Sequence, residues 1–225
     1  GKSFAVAWYI RWFINRYPGC RVLVCRKTRV SLSQSFLVTW EKVLGFNHQA
    51  LTGVTRTNRQ LYRFANGSEL VLGGMDNPTR LFSTEYDLIL VNEATELAEG
   101  EWESLHRALR HYVAPYQQLL GDCNPDAPGH WLNLRCEKPY SIPPELRGAT
   151  PEPRDGQTLT TRLLTRFDDN PTIKPEYLLR LSNLTGSRRD RLYLGKWTAA
   201  EGLIYPEWQN SRHLVSMDIE PGDRD

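Results

Sequence analysis

Three short stretches carry side chains able to do phosphate chemistry. The chain opens Gly1-Lys2-Ser3 at the head of an apolar segment, the tail of the phosphate-binding loop pattern GxxxxGKS/T. In such a loop the lysine reaches the β- and γ-phosphates, the hydroxyl holds Mg²⁺, and the helix N-terminus favours negative charge. Gly1, Lys2 and Ser3 are therefore candidate nucleotide-binding residues, with Ser3 also a metal ligand; the glycine-rich part of the loop would lie before residue 1. The second stretch, Tyr86-Asp-Leu-Ile-Leu-Val-Asn-Glu-Ala94, is an apolar run closed by a polar–acidic pair. That arrangement sets a metal-shell residue, Asn92, and a catalytic carboxylate, Glu93, opposite bound phosphate, where Glu93 would polarise the water attacking the γ-phosphate. The third, Leu119-Leu-Gly-Asp-Cys-Asn-Pro125, ends a further apolar run in a polar turn. Asn124 there is either a sensor of the γ-phosphate or a plain turn residue.

These side chains must be held by alternating helices and apolar strands. Residues 4–14 are apolar on nearly every face, as in a helix buried beside a sheet, and Pro18-Gly19 stops it. Residues 21–25 and 87–91 read as short continuous apolar strands of the kind buried on both faces of a parallel sheet. A helix is predicted over 33–43, and Asn66-Gly67 between 61–64 and 69–72 is a tight hairpin signal. An acidic helix over 100–110 and a strand over 118–121 follow. The pattern predicts a three-layer α/β fold with a mostly parallel central sheet. Residues 141–157, rich in Pro and Gly, mark a boundary or long loop. Beyond it lie an edge strand at 159–165 and two short helices at 175–184 and 187–194, with Pro175 and Ser187 as start signals.

At 225 residues, 40% hydrophobic and 24% charged, the composition is that of an ordinary globular protein. No apolar run approaches the ~18 residues that a membrane span requires, and the interrupted apolar opening has no signal-peptide cleavage site. Cys20, Cys25, Cys123 and Cys136 show no metal-binding spacing and read as reduced thiols. The net charge is only +2, but it is unevenly distributed. Residues 1–66 carry eleven basic residues against Glu41 alone, a net of +10, and residues 67–104 carry nine acids against Arg80 alone, a net of −8. A basic segment followed by an acidic one suits a protein that handles a polyanion on one surface and a metal elsewhere.

The three stretches in this order resemble the ATPase domain of phage large terminases. So do Phe64-Ala-Asn-Gly-Ser-Glu69 with Gly73-Gly-Met-Asp-Asn77, Asn92-Glu-Ala-Thr-Glu-Leu97, Phe167-Asp-Asp-Asn-Pro171, Tyr193-Leu-Gly-Lys-Trp197 and Glu201-Gly-Leu-Ile-Tyr205. The resemblance implies a P-loop NTPase of the RecA/ASCE-like type, with a core over 1–145, a small lid subdomain over 146–204 and a linker over 205–225 toward a nuclease domain. It implies ATP and Mg²⁺ as cofactors, Lys2 and Ser3 on phosphate and metal, Glu93 as catalytic carboxylate, and Asn124 in a motif coupling hydrolysis to movement. Arg80 falls where some members carry an arginine that reaches a neighbouring subunit's site; its alternative is a local salt bridge with Asp76 or Glu85. The implied function is translocation of double-stranded DNA into a procapsid by a homo-oligomeric ring. The portal protein and small terminase subunit would be partners, and the host-cell cytoplasm the location, with no membrane.

The chain departs from the family pattern at position 92, where Asn replaces the usual Asp and lacks its charge. Asp218 and Asp223 are two isolated acids and make no nuclease metal site. Arg188, Arg189 and Arg191 would contact DNA phosphate or a neighbouring subunit, or form a solvated face. Two other readings are a helicase of the same broad class, and an inactive or nucleic-acid-binding fragment of such an ATPase.

Overall fold

A five-stranded sheet forms the centre of the structure, a computed structural model that describes residues 1–45, 47–142, 156–170 and 172–199, with Arg80 and Asp168 given by backbone alone. Its strands are β1 (Arg21–Arg26), β2 (Leu61–Arg63), β3 (Glu69–Gly74), β4 (Leu88–Asn92) and β5 (Gln118–Asp122), in the order β2-β3-β1-β4-β5. β1 lies parallel to β3 and β4, and β4 parallel to β5, while β2 joins β3 as the predicted antiparallel hairpin. Gly67 turns that hairpin at φ +81°, where a side chain would be strained.

The central strands β1 and β4 are apolar over residues 22–25 and 88–91 because both faces are covered there. Successive side chains alternate between faces. Val22, Val24, Leu88 and Leu90 pack into one core with Ile10 and Phe13 of α1 (Lys2–Arg16), Leu32 of α2 (Arg29–Gln34), and Phe36 and Trp40 of α3 (Phe36–Leu44). Leu23, Cys25, Ile89 and Val91 pack on the other side with Trp102 and Leu105 of α5 (Glu99–His106) and Leu132 of α6 (Trp131–Arg135). The result is helix, sheet, helix, the three-layer arrangement expected from the alternating pattern. α4 (Pro78–Phe82) sits between β3 and β4, and α7 (Pro175–Ser182) and α8 (Gly186–Leu192) follow the core.

Four local expectations are corrected. α1 is not buried all round: Ala7, Ile10, Phe13 and Ile14 form its inner stripe, while Phe4, Trp8 and Trp12 are each about half exposed. A helix on one face of a sheet can bury only one side. The helix expected over 33–43 is two, broken at Ser35 (φ −110°, ψ −97°), whose hydroxyl donates to Ser31 O and accepts from Arg26. Residues 159–165 form no strand; a single bridge joins Thr158 to Pro139, and Leu163 and Leu164 are exposed, leaving no face to bury in a sheet. The last helix starts at Gly186 behind Thr185, not at Ser187. Residues 200–225, and with them the expected linker, lie outside the described residues, as do 143–155. Among the described residues no helix is long and apolar enough to cross a membrane.

Candidate active site

The parallel strands β1, β4 and β5 all end on one edge of the sheet, and α1 begins there. Lys2 and Ser3 are the first two residues of α1, and no acid occupies its first turn, so the unpaired N–H groups and the helix dipole favour an anion at this edge. The Lys2 ammonium donates to Asn124 Oδ1 at 2.7 Å and to the Cys123 carbonyl. Its N-terminal position and the turn after β5 are 122 residues apart in sequence, and the sheet order makes them neighbours.

Asn92 and Asp122 are register partners at the ends of β4 and β5. Alternation turns both side chains to the α1 side. Asn92 Nδ2 donates to Asp122 Oδ1 at 3.0 Å, and Ser3 Oγ donates to Asp122 Oδ2 at 3.5 Å. Ser35 Oγ lies 3.2 Å from Asn92 Oδ1, its one proton shared between that oxygen and Ser31 O at 2.8 Å. A bidentate pair from Arg26 to Glu96, at 2.8 and 2.5 Å, closes the edge. Gly121 makes the approach of β5 possible: a Cβ there would lie 2.9 Å from Ala94 Cβ and 3.0 Å from the Trp102 ring.

Glu93 leaves β4 with φ +55° and ψ +58°, the left-handed region that a non-glycine side chain enters at a cost of about 1–3 kcal/mol. Strain of that kind persists where surrounding structure enforces it, and it turns Glu93 off the strand direction. Burial raises its carboxyl pKa above the ordinary value, the Asp122 charge adds to the rise, and Lys2 and Arg26 oppose it. Lys2 and Glu93 are therefore within electrostatic reach at one end of the sheet.

Asp87, at the opposite end of β4, was not singled out by sequence and anchors the scaffold. Its buried carboxylate accepts from the Arg21, Val113 and Ala114 amides at 3.0, 2.8 and 3.0 Å and lies 2.7 Å from His111 Nδ1. This ties β1, β4 and the approach to β5 together.

The structure thus brings Lys2, Ser3, Asn92, Glu93 and Asn124 to one edge, with Gly1 as the residue before α1. Arg80 has its backbone in α4, and its side chain lies outside the described residues. One of its two expected local partners, Glu85, is engaged by Arg110 at 3.0 Å. Arg191 is not a free surface cation: it pairs with Asp126 at 3.0 Å and donates twice to Thr198 O. With Thr198 N on Asp126 O at 3.0 Å, this fastens α8 to the loop after Asn124, beside a cleft of about 310 Å³ lined by Thr95, Asn124, Arg188 and Leu192. Asp122 was also missed as a site residue. Its type and place after an apolar strand were visible in the sequence, but its pairing with position 92 was not.

The strand order, the lysine–serine helix start and the polar strand ends define a P-loop NTPase fold. The chain belongs to the phage terminase large subunit family, whose sequence model matches residues 2–184. No curated relative matches it. Among solved structures it is similar to a large terminase from a thermophilic bacteriophage, with TM-score 0.66 at 18% identity over 98% of this chain and 52% of that one. That same terminase in complex with ATP-gamma-S gives TM-score 0.59 at 20% identity, covering 97% of this chain and 49% of that one. The Thermus phage P74-26 large terminase ATPase domain gives TM-score 0.52 at 14% identity, covering 88% and 84%. The chain spans about half the length of the first of these terminases.

Proposed function

We propose that this chain is the ATP-hydrolysing motor domain of a terminase large subunit that translocates double-stranded DNA into a procapsid. The observation that carries the reading is the meeting of Lys2, Ser3, Glu93 and Asn124 at one sheet edge, from three segments far apart in sequence. The similar thermophilic-phage terminase was solved in complex with ADP and with ATP-gamma-S, which supports a nucleotide as the occupant.

In this reading Lys2 binds the β- and γ-phosphates and Glu93 takes the proton of the attacking water. Raising the Glu93 pKa brings a carboxylate closer to the operating pH, where a general base is most effective. The Ser3 hydroxyl is a hard oxygen donor of the type Mg²⁺ prefers and would hold the ion, with Asn92 beside it. Mg²⁺, when bound with the nucleotide, supplies neutralising charge to the phosphate oxygens. Asn124, tethered to Lys2 and followed by the Asp126–Arg191 clamp, links this edge to α8 within a lid over 146–204. Arg80, whose backbone lies in α4, is assigned as the arginine serving a neighbouring subunit of a ring. Portal and small-subunit contacts and a host-cytoplasmic location complete the proposal.

The test is ATP hydrolysis by the full-length protein with and without duplex DNA. Glu93→Gln should lower the rate by roughly 10²–10⁴ while nucleotide still binds. Hydrolysis by that variant at the unsubstituted rate would remove Glu93 from the mechanism.

A further inference from the structure

Position 92 carries an amide where a phosphate-coordinated metal would ordinarily find a carboxylate, yet the site is not short of one. From the pairing of Asn92 with Asp122, we infer that the metal-holding carboxylate of this enzyme has moved one strand over, to Asp122 at the end of β5. The inference rests on the ATPase reading above.

Three observations carry it. Asp122 is the direct register partner of Asn92, so the two side chains leave the same sheet edge on the same face. Its Oδ2 is 3.5 Å from the Ser3 hydroxyl, the group expected to share the metal. Finally, the Asn92 amide is oriented toward Asp122: Nδ2 donates to Asp122 Oδ1 at 3.0 Å, while Oδ1 lies 3.2 Å from the Ser35 hydroxyl, whose one proton is shared with Ser31 O. A carboxylate can only accept, so the amide must turn its NH₂ to Asp122, and its oxygen then faces the Ser35 hydroxyl. Asn92 is thereby a positioning residue that fixes one Asp122 oxygen and leaves the other toward Ser3.

The chemistry of the donor set fits Mg²⁺ better than an all-protein cage. Mg²⁺ keeps several waters and takes one or two carboxylates together with substrate phosphates. Among the described residues no group of three or more His, Cys, Asp or Glu could hold a metal by themselves. One carboxylate, one hydroxyl and nucleotide oxygens meet the need. Asp122 is nearly buried, so its charge is weakly screened and acts strongly on a cation.

The assignment is tested on the full-length protein with ATPγS and Mn²⁺, following bound Mn²⁺ by electron paramagnetic resonance and nucleotide by calorimetry in EDTA. Asp122→Asn should lower Mn²⁺ retention in the nucleotide complex by roughly 10–100-fold. Metal-free ATPγS binding should hold or tighten, because a negative charge leaves the neighbourhood of the phosphates. The double variant Asn92→Asp with Asp122→Asn returns a carboxylate to the adjacent strand and should recover retention, while an unchanged melting temperature of Asp122→Asn, whose amide oxygen still accepts from Asn92, separates loss of the metal from a structural role. Retention by Asp122→Asn within about twofold of the unsubstituted protein overturns the assignment and leaves the ATPase reading standing. If the unsubstituted protein binds no ATPγS with or without metal, the ATPase reading falls and the assignment falls with it.

Discussion

Asn92 and Asp122 face each other across β4 and β5, with the amide of one donating to the carboxylate of the other at 3.0 Å. The contact exists because two parallel strands end in register, so polar residues that close two apolar runs 30 positions apart become one unit. Its neighbours Ser3 and Glu93 then share a single charged environment, in which a change at one group is felt at the others.

The left-handed conformation of Glu93 separates activity from stability. Glu93→Gly relieves backbone strain and removes a carboxylate that Asp122 repels, and should stabilise the fold by about 1 kcal/mol while hydrolysis is lost. Denaturant midpoints of the two proteins decide the point. A clear loss of stability in the glycine variant would mean that the conformation is not strained.

Gly121 should tolerate no side chain. Gly121→Ala places a methyl against Ala94 and the Trp102 ring, at 2.9 and 3.0 Å, and is expected to cost about 1–3 kcal/mol. Because β5 must shift away from residue 94, the variant should also weaken Mn²⁺–nucleotide binding. A thermal melt together with a binding titration checks both effects, and an unchanged melting temperature would refute the close approach.

Asp87 makes folding sensitive to acid. Burial alone would raise its pKa, but the His111 contact and the amides of Ala114 and Arg21 outweigh this and hold it below the ordinary 3.8. A carboxylate depressed on folding adds stability that is complete above 3.8 and is lost as pH falls through the folded value. Asp87→Asn should therefore destabilise by about 1–3 kcal/mol near neutral pH and flatten the acid limb of the stability profile. Equal acid sensitivity in both proteins, measured by denaturant titration from about pH 7 to about pH 3, would assign the acid limb to other groups.

Arg191 fastens α8 to the turn after β5. Arg191→Ala removes the Asp126 pair and two bonds to Thr198 O, and should loosen this junction by about 1–2 kcal/mol without unfolding the core. Hydrogen exchange should rise at residues 186–199 and stay unchanged at β1 and β4. Uniform exchange throughout the chain would show that the clamp supports the whole fold.

Sequence by itself determined the parts that depend on neighbours along the chain. The apolar runs of β1 and β4 read as doubly buried strands because burial on both faces leaves no polar position. Asn66-Gly67 read as a turn because Gly67 adopts positive φ. The Gly1-Lys2-Ser3 start and the Asn92-Glu93 ending were legible as a helix start and a strand end, because an apolar run meets polar residues at each. Tertiary structure alone decided the rest. The half-exposed face of Phe4, Trp8 and Trp12 depends on which side of α1 meets the sheet, and the break at Ser35 on side-chain bonds to Ser31 and Arg26. The bond from Lys2 to Asn124 and the pairing of Asn92 with Asp122 depend on strand order and register, which no local pattern encodes. Hydrophobic periodicity is written residue by residue, whereas the distance between two strand ends is set only when the whole sheet assembles.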